Sequence, residues 1–100
     1  MTYMLLYRGP ATTDETSHEG WPEWFARCGE QLVDIGSPML RGHTAYPDGS
    51  VSHGAGNLNG YSLVRCDDLE ALRALLHDHP FLRASAEHSI EIFEVPRKDG

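Results

Sequence analysis

Basic residues are scarce in this chain: eight Lys and Arg stand against fifteen Asp and Glu, a formal charge of −7. A nucleic-acid surface works by neutralising phosphates, and an anionic bilayer asks for the same basic face, so neither is an expected partner. Cysteine is nearly absent too. Cys28 and Cys66 stand far apart with no CxxC pair, which removes the usual zinc spacing and the dithiol redox motif and leaves two reduced, buried thiols. No apolar run approaches a membrane span, and the opening "MTYMLLYRGP" lacks the basic segment of a signal peptide, so the expected location is cytoplasmic. One hundred residues, 40% of them hydrophobic, suffice for one core and are too few for two. A single domain over residues 1–95 is expected, with "PRKDG" at 96–100 as a frayed tail.

What is present is pattern. "TYMLLYR" predicts a strand from Thr2 to Arg8, stopped by Gly9-Pro10, with Tyr3, Leu5 and Tyr7 on one face and Met4 and Leu6 on the other. The polar "ATTDETSHEG" at 11–20 reads as a loop. Pro22 suits a helical first turn, and Trp21, Phe25, Cys28, Leu32 and Ile35 recur at helical spacing with Trp24 at the margin, so the helix is expected to run until Gly36 and Pro38 stop it. "YPDGS" at 46–50 is a turn joining Met39–Tyr46 to Val51–His53 in an irregular hairpin. "LNGYSLVRC" reads as a central strand. In "DDLEALRALLHD", Asp67 is the expected N-cap with Glu70 completing a capping box, and Leu69, Leu72, Leu75 and Leu76 form the buried face. "SIEIFEV" at 89–95 is the last strand. The order strand, helix, strand, strand, helix, strand is the ferredoxin-like α+β arrangement. Its two helices cover one face of the sheet, yet the first strand is apolar on both, so a second copy is expected against the other face, making a homodimer.

"YMLLYRGP", "WFARCGEQLVDIGSPM", "PDGSV", "LNGYSLVRCDDLEALRALLHDHPFL" and "SIEIFEV" together resemble the YCII-related family, in the branch of short bacterial proteins near the DGPF-domain group. The likeness runs from Tyr3 to about Val95 and is most specific in the G-Y-S-hydrophobic-V strand, the acidic-capped helix and the H-P-F-L that follows. It implies a ferredoxin-like subunit pairing into a dimeric α+β barrel. Some branches of the family have a proposed catalytic His and Asp. The His follows a Pro-Glu pair in the first helix, and the Asp precedes a Pro and an aromatic residue. The matching positions here are Trp24, after Pro22 and Glu23, and His79, before Pro80 and Phe81. An Asp-oriented imidazole therefore does not carry over, and a cleft with one imidazole and one indole remains.

On its own chemistry, "HDHPF" places the end of the second helix near Asp78 and leaves His79 extended, because a residue before proline avoids the α conformation. An imidazole can exchange a proton near neutrality, with Asp78 or Glu23 to orient it, so His79 and Asp78 are the candidate catalytic pair. Trp24, Tyr7, Arg8 and Tyr61 are the candidate ligand contacts, with Tyr3, Tyr7 and Tyr61 on strands that could line a barrel interior and Arg8 able to meet an anion. The plainer account is that a histidine at a helix C-terminus is favoured by the dipole alone and that Trp24 is core. "GAGNLNG" lacks GxGxxG spacing and leads into a strand, which rejects a dinucleotide site. "NGYSLV" lacks the basic and second aromatic positions of the RNA-recognition strand. Among six histidines, His77 and His79 fall on different helix faces and His18, His43, His53 and His88 show no ligand spacing, so no metal and no cofactor are expected. The leading expectation is a small-molecule-binding dimer with weak acid/base activity as its extreme. The alternative is a non-catalytic interaction module. An enclosed pocket at His79 would favour the first, and a filled core the second.

Overall fold

The computed structural model describes residues 1–10, 19–54 and 57–96. The loop expected at 11–20 and the tail after Pro96 fall largely outside these residues. The elements are β1 (Thr2–Arg8), α1 (Trp21–Cys28), a 3-10 turn (Gly29–Gln31), β2 (Leu32–Pro38), β3 (His43–Ala45), β4 (Val51–His53), β5 (Leu58–Arg65), α2 (Leu69–Leu76), α3 (Pro80–Ala84) and β6 (Ser89–Val95). Four strands form a sheet in the order β2-β5-β1-β6, with every neighbouring pair antiparallel, while β3 and β4 form a ribbon of their own. This is the ferredoxin-like α+β fold, with the two most apolar strands in the centre. No helix among the described residues is long and apolar enough to cross a membrane.

The first helix is half the expected length. It stops at Cys28, where Gly29 takes a φ of 56° and turns the chain, and residues 32–38 become the second sheet strand. The helical spacing past Cys28 rested on two residues only. Leu32 packs on the core from the strand, whereas Ile35 is 54% exposed. Gly36 does not stop a helix. It sits at φ 80° in a bulge of β2, and a Cβ there would run into the Tyr61 carbonyl, so glycine is required for this close approach. The hairpin pairs His43–Ala45 with Val51–His53 as a separate ribbon and does not supply the second sheet strand, a role that falls to β2.

The second helix begins one residue later than expected. Asp68, not Asp67, is its N-cap, and the Asp68 carboxylate accepts the Ala71 N–H at 2.8 Å. The shift moves Glu70 out of the capping-box position, and it pairs instead with Arg73 at 3.7 Å on the exposed surface. Leu72 and Leu76 are buried, Leu75 is half-buried against the core and Leu69 is 56% exposed.

β1 divides the molecule. Tyr3, Leu5 and Tyr7 are buried with Trp24, Cys28, Val64, Cys66, Leu72, Leu76 and Phe81, so this face carries the helices. Both cysteines are free, buried thiols, and burial pushes Cys28 up to about 11. Met4 and Leu6 point the other way, and their cross-strand neighbours Leu63, Phe93 and Tyr61 share that second face. Tyr61 is therefore separated by the sheet from Tyr3 and Tyr7. The three tyrosines do not line one interior.

Candidate functional site

The segment "HDHP" is the connection between α2 and α3. His77 closes α2, Asp78 takes a left-handed φ of 64°, His79 is extended (φ −61°, ψ 136°), and Pro80 opens α3 at the position where its missing N–H is harmless. α1 holds this connection from the side. Its Trp24 indole donates to the Leu75 carbonyl at 3.0 Å, and Arg27 donates to the carbonyls of Leu75 (2.8 Å) and His77 (2.9 Å). The carbonyls that a helix end leaves unpaired are thus answered by α1, and the chain beyond them is driven under it. From the other side, His88 stacks on Phe81 with ring centres 3.9 Å apart. Its ring nitrogens lie 2.8 Å from the Phe81 carbonyl and 3.0 Å from that of Pro10, which ties α3 to the end of β1.

His79 is fully buried as a result. Its ring lies 4.3 Å from Trp24, 4.9 Å from Trp21 and 5.4 Å from Tyr7, centre to centre, and Phe81 packs on Tyr7 at 5.3 Å. Nδ1 accepts the Phe81 N–H at 3.0 Å, so His79 caps α3 with its own side chain. A neutral imidazole that accepts at Nδ1 carries its proton on Nε2. That Nε2 is buried without a hydrogen-bond partner among the described residues. Burial first, and then the Arg27 and Arg83 guanidinium groups, push the imidazole down to about 3. Both the burial and the Phe81 N–H bonded to Nδ1 favour the uncharged form of this ring, with its proton on Nε2.

Of the residues singled out in the sequence, the structure brings His79, Trp24 and Tyr7 together. The Tyr7 ring forms a wall, and its hydroxyl donates to Ser62 Oγ at 2.8 Å, which in turn donates to the Ile35 carbonyl at 2.9 Å. Burial raises this hydroxyl to about 12, so it stays protonated. Asp78 is exposed and pairs with Arg83 at 3.4 Å; the group that meets the His79 ring is the Phe81 amide. Glu23 is exposed in the first turn of α1. Arg8 pairs with Glu91 at 2.9 Å, and Tyr61 lies on the far face of the sheet. His77 is exposed and lines an open groove of about 410 Å³ with Glu70, Arg73 and Ala74. Trp21, Phe81, Ser62 and His88 were not read as site residues. A histidine followed by proline and then apolar residues was itself the signal, since it matches a capped helix start as well as a helix end.

No curated protein matches the chain. Among solved structures, it is similar to 5-chloro-2-hydroxyhydroquinone dehydrochlorinase (TftG) from Burkholderia phenoliruptrix, in a complex with 2,5-dihydroxybenzoquinone, at a TM-score of 0.61 and 10% identity over 98% of this chain and 96% of that one. At that identity the likeness shows a shared fold. The profile of the YCII-related domain matches residues 1–96, and the protein belongs to the YCII-related family.

Proposed function

We propose that the protein binds a small oxygenated organic molecule at His79, and that any catalysis it performs uses this imidazole as a neutral hydrogen-bond donor. The observation that carries the reading is the buried Nε2–H of His79, which has no partner among the described residues and lies among aromatic rings. A buried donor without an acceptor costs about 1–3 kcal/mol, and a native fold keeps such a group where something else repays it. The missing partner is an oxygen acceptor, and the walls of Trp24, Trp21 and Tyr7 favour a flat ring behind it. The fold's relative TftG, named a dehydrochlorinase and held with a dihydroxybenzoquinone, is consistent with a small cyclic oxygen compound.

The chemistry available is polarisation. A donor N–H fixed in one tautomer draws electron density toward a carbonyl or enol oxygen without a change of charge. His79 would not take a proton from substrate, since Nδ1 is occupied and the ring resists protonation. Asp78, turned outward, has no place in this scheme. The subunit would act as a homodimer, with Met4, Leu6, Tyr61, Leu63 and Phe93 on the open sheet face meeting the same face of a second copy, as in a dimeric α+β barrel of the DGPF-like type.

The tight packing around His79 favours a second reading, in which the imidazole is only a helix cap and the dimer is the useful object. His79→Asn separates the two, because asparagine keeps an acceptor at the N-cap but removes Nε2. With 2,5-dihydroxybenzoquinone as the calorimetric probe, binding by the wild type and its loss in a folded His79→Asn is the expected outcome. Undiminished binding in the variant, or none in the wild type, favours the interaction module.

A further inference from the structure

We propose that His43 and His53 form a two-imidazole chelate for a divalent transition-metal ion on the β3–β4 ribbon, remote in sequence and in role from His79. The two residues are direct cross-strand partners. Their kind of pairing follows from the backbone. Tyr46 N–H bonds to the Ser50 carbonyl at 2.9 Å and Gly54 N–H to the Gly42 carbonyl at 2.8 Å, so hydrogen-bonded positions fall at 42/54 and 46/50. Antiparallel pairs alternate, which puts 43/53 at a position without mutual hydrogen bonds, where facing side chains stand closest.

The rings have used that closeness. Their centres are 5.6 Å apart with planes 64° from parallel. Two imidazoles bound to one tetrahedral ion at about 2.0–2.1 Å place their centres about 5 Å apart, so a small side-chain rotation closes the chelate. Both histidines are exposed and open to a hydrated ion, on a chain of formal charge −7. Imidazole nitrogens select zinc, copper and nickel over calcium and magnesium. Among the described residues no third His, Cys, Asp or Glu converges on the pair, so water fills the other positions. The ribbon gives the chelate a purpose. Two strands alone are marginally stable, and this pair is separate from the main sheet, so a tie between strands fixes its register.

The experiment is titration of the untagged full chain with Zn2+, followed by calorimetry and by the histidine ring resonances, with Mg2+ as the control. The expected result is one ion per chain, shifting His43 and His53 together, with no response to Mg2+. His43→Ala and His53→Ala should each weaken Zn2+ binding about tenfold or more, since the second ligation is intramolecular, while His77→Ala leaves it unchanged. The substitutions are on exposed positions, and circular dichroism verifies the fold of each. Absence of Zn2+ binding, equal affinity in either single variant, or a response centred on another histidine would overturn the proposal.

Discussion

The two faces of the central sheet come from the same strands and have different fates. On one, Tyr3, Leu5 and Tyr7 are closed over by α1, α2 and α3, and among the described residues the buried side-chain nitrogens and oxygens, such as the Tyr7 hydroxyl and the Trp24 indole, find partners except the His79 Nε2. On the other, Met4, Leu6, Tyr61 and Leu63 are only half-buried and Phe93 is 52% exposed. The closed face is finished by its own chain and holds one polar exception, where a ligand is proposed to act. The open face carries the apolar cluster Met4, Leu6, Tyr61, Leu63 and Phe93, bordered by Glu91 opposite Leu6, and is proposed to be finished by a second copy. A buried donor with no partner among the described residues and a half-exposed apolar cluster are different kinds of incompleteness, and they call for different partners.

The largest expected effect lies on the closed face. Leu5→Ala should lower the unfolding free energy by about 2–5 kcal/mol at any protein concentration, because a fully buried side chain leaves a cavity. Leu6→Ala, one residue on, should show a smaller loss that grows with protein concentration, since its partner is the second copy. Denaturant curves at two concentrations check both, and identical behaviour of the two variants would erase the distinction between the faces.

Next comes assembly. Light scattering should give twice the 11.1 kDa mass of one chain at micromolar concentration, and Phe93→Lys should return the single-chain mass with secondary structure retained. A wild-type monomer at that concentration would contradict the covered-face reading.

The smallest effect is local to α2. Asp68→Ala should cost about 0.5–2 kcal/mol while Asp67→Ala costs little, as judged by denaturant midpoints, because only the Asp68 carboxylate meets a free helix N–H.

These contrasts also mark what the sequence could and could not disclose. The alternation in "TYMLLYR" named both faces of β1, and the ferredoxin-like fold was legible in the order of strands and helices, although its second strand was placed in the hairpin and lies at Leu32–Pro38. The length of α1 was not legible, since Leu32 and Ile35 continue its spacing by chance and only Gly29, adopting a left-handed φ, turns the chain. The cap of α2 was ambiguous because two aspartates adjoin, and a shift of one residue dissolves the capping box. His79 was legible as a residue of interest through Pro80, but its surroundings were not. That Nδ1 would be spent on a backbone amide two residues on, and that Asp78 would face outward, depend on α3, a five-residue helix too short to leave a periodic signature. His43 and His53, ten positions apart, become neighbours only through a strand register that spacing does not reveal.

The central claim is that His79 is a neutral donor held in one tautomer. Its folded value, about 3, lies below the ordinary histidine value of about 6.5, so the unfolded chain takes up a proton between the two that the folded chain does not. Its contribution to stability is present above about 6.5 and is lost as pH falls toward 3, by at most about 1.4 kcal/mol per pH unit. The most direct measurement is a long-range nitrogen–proton NMR spectrum of the His79 ring between pH 5 and pH 8. The account predicts an Nε2–H tautomer whose shifts stay constant across that range, whereas an Nδ1–H tautomer, or titration near the ordinary histidine value, would contradict it.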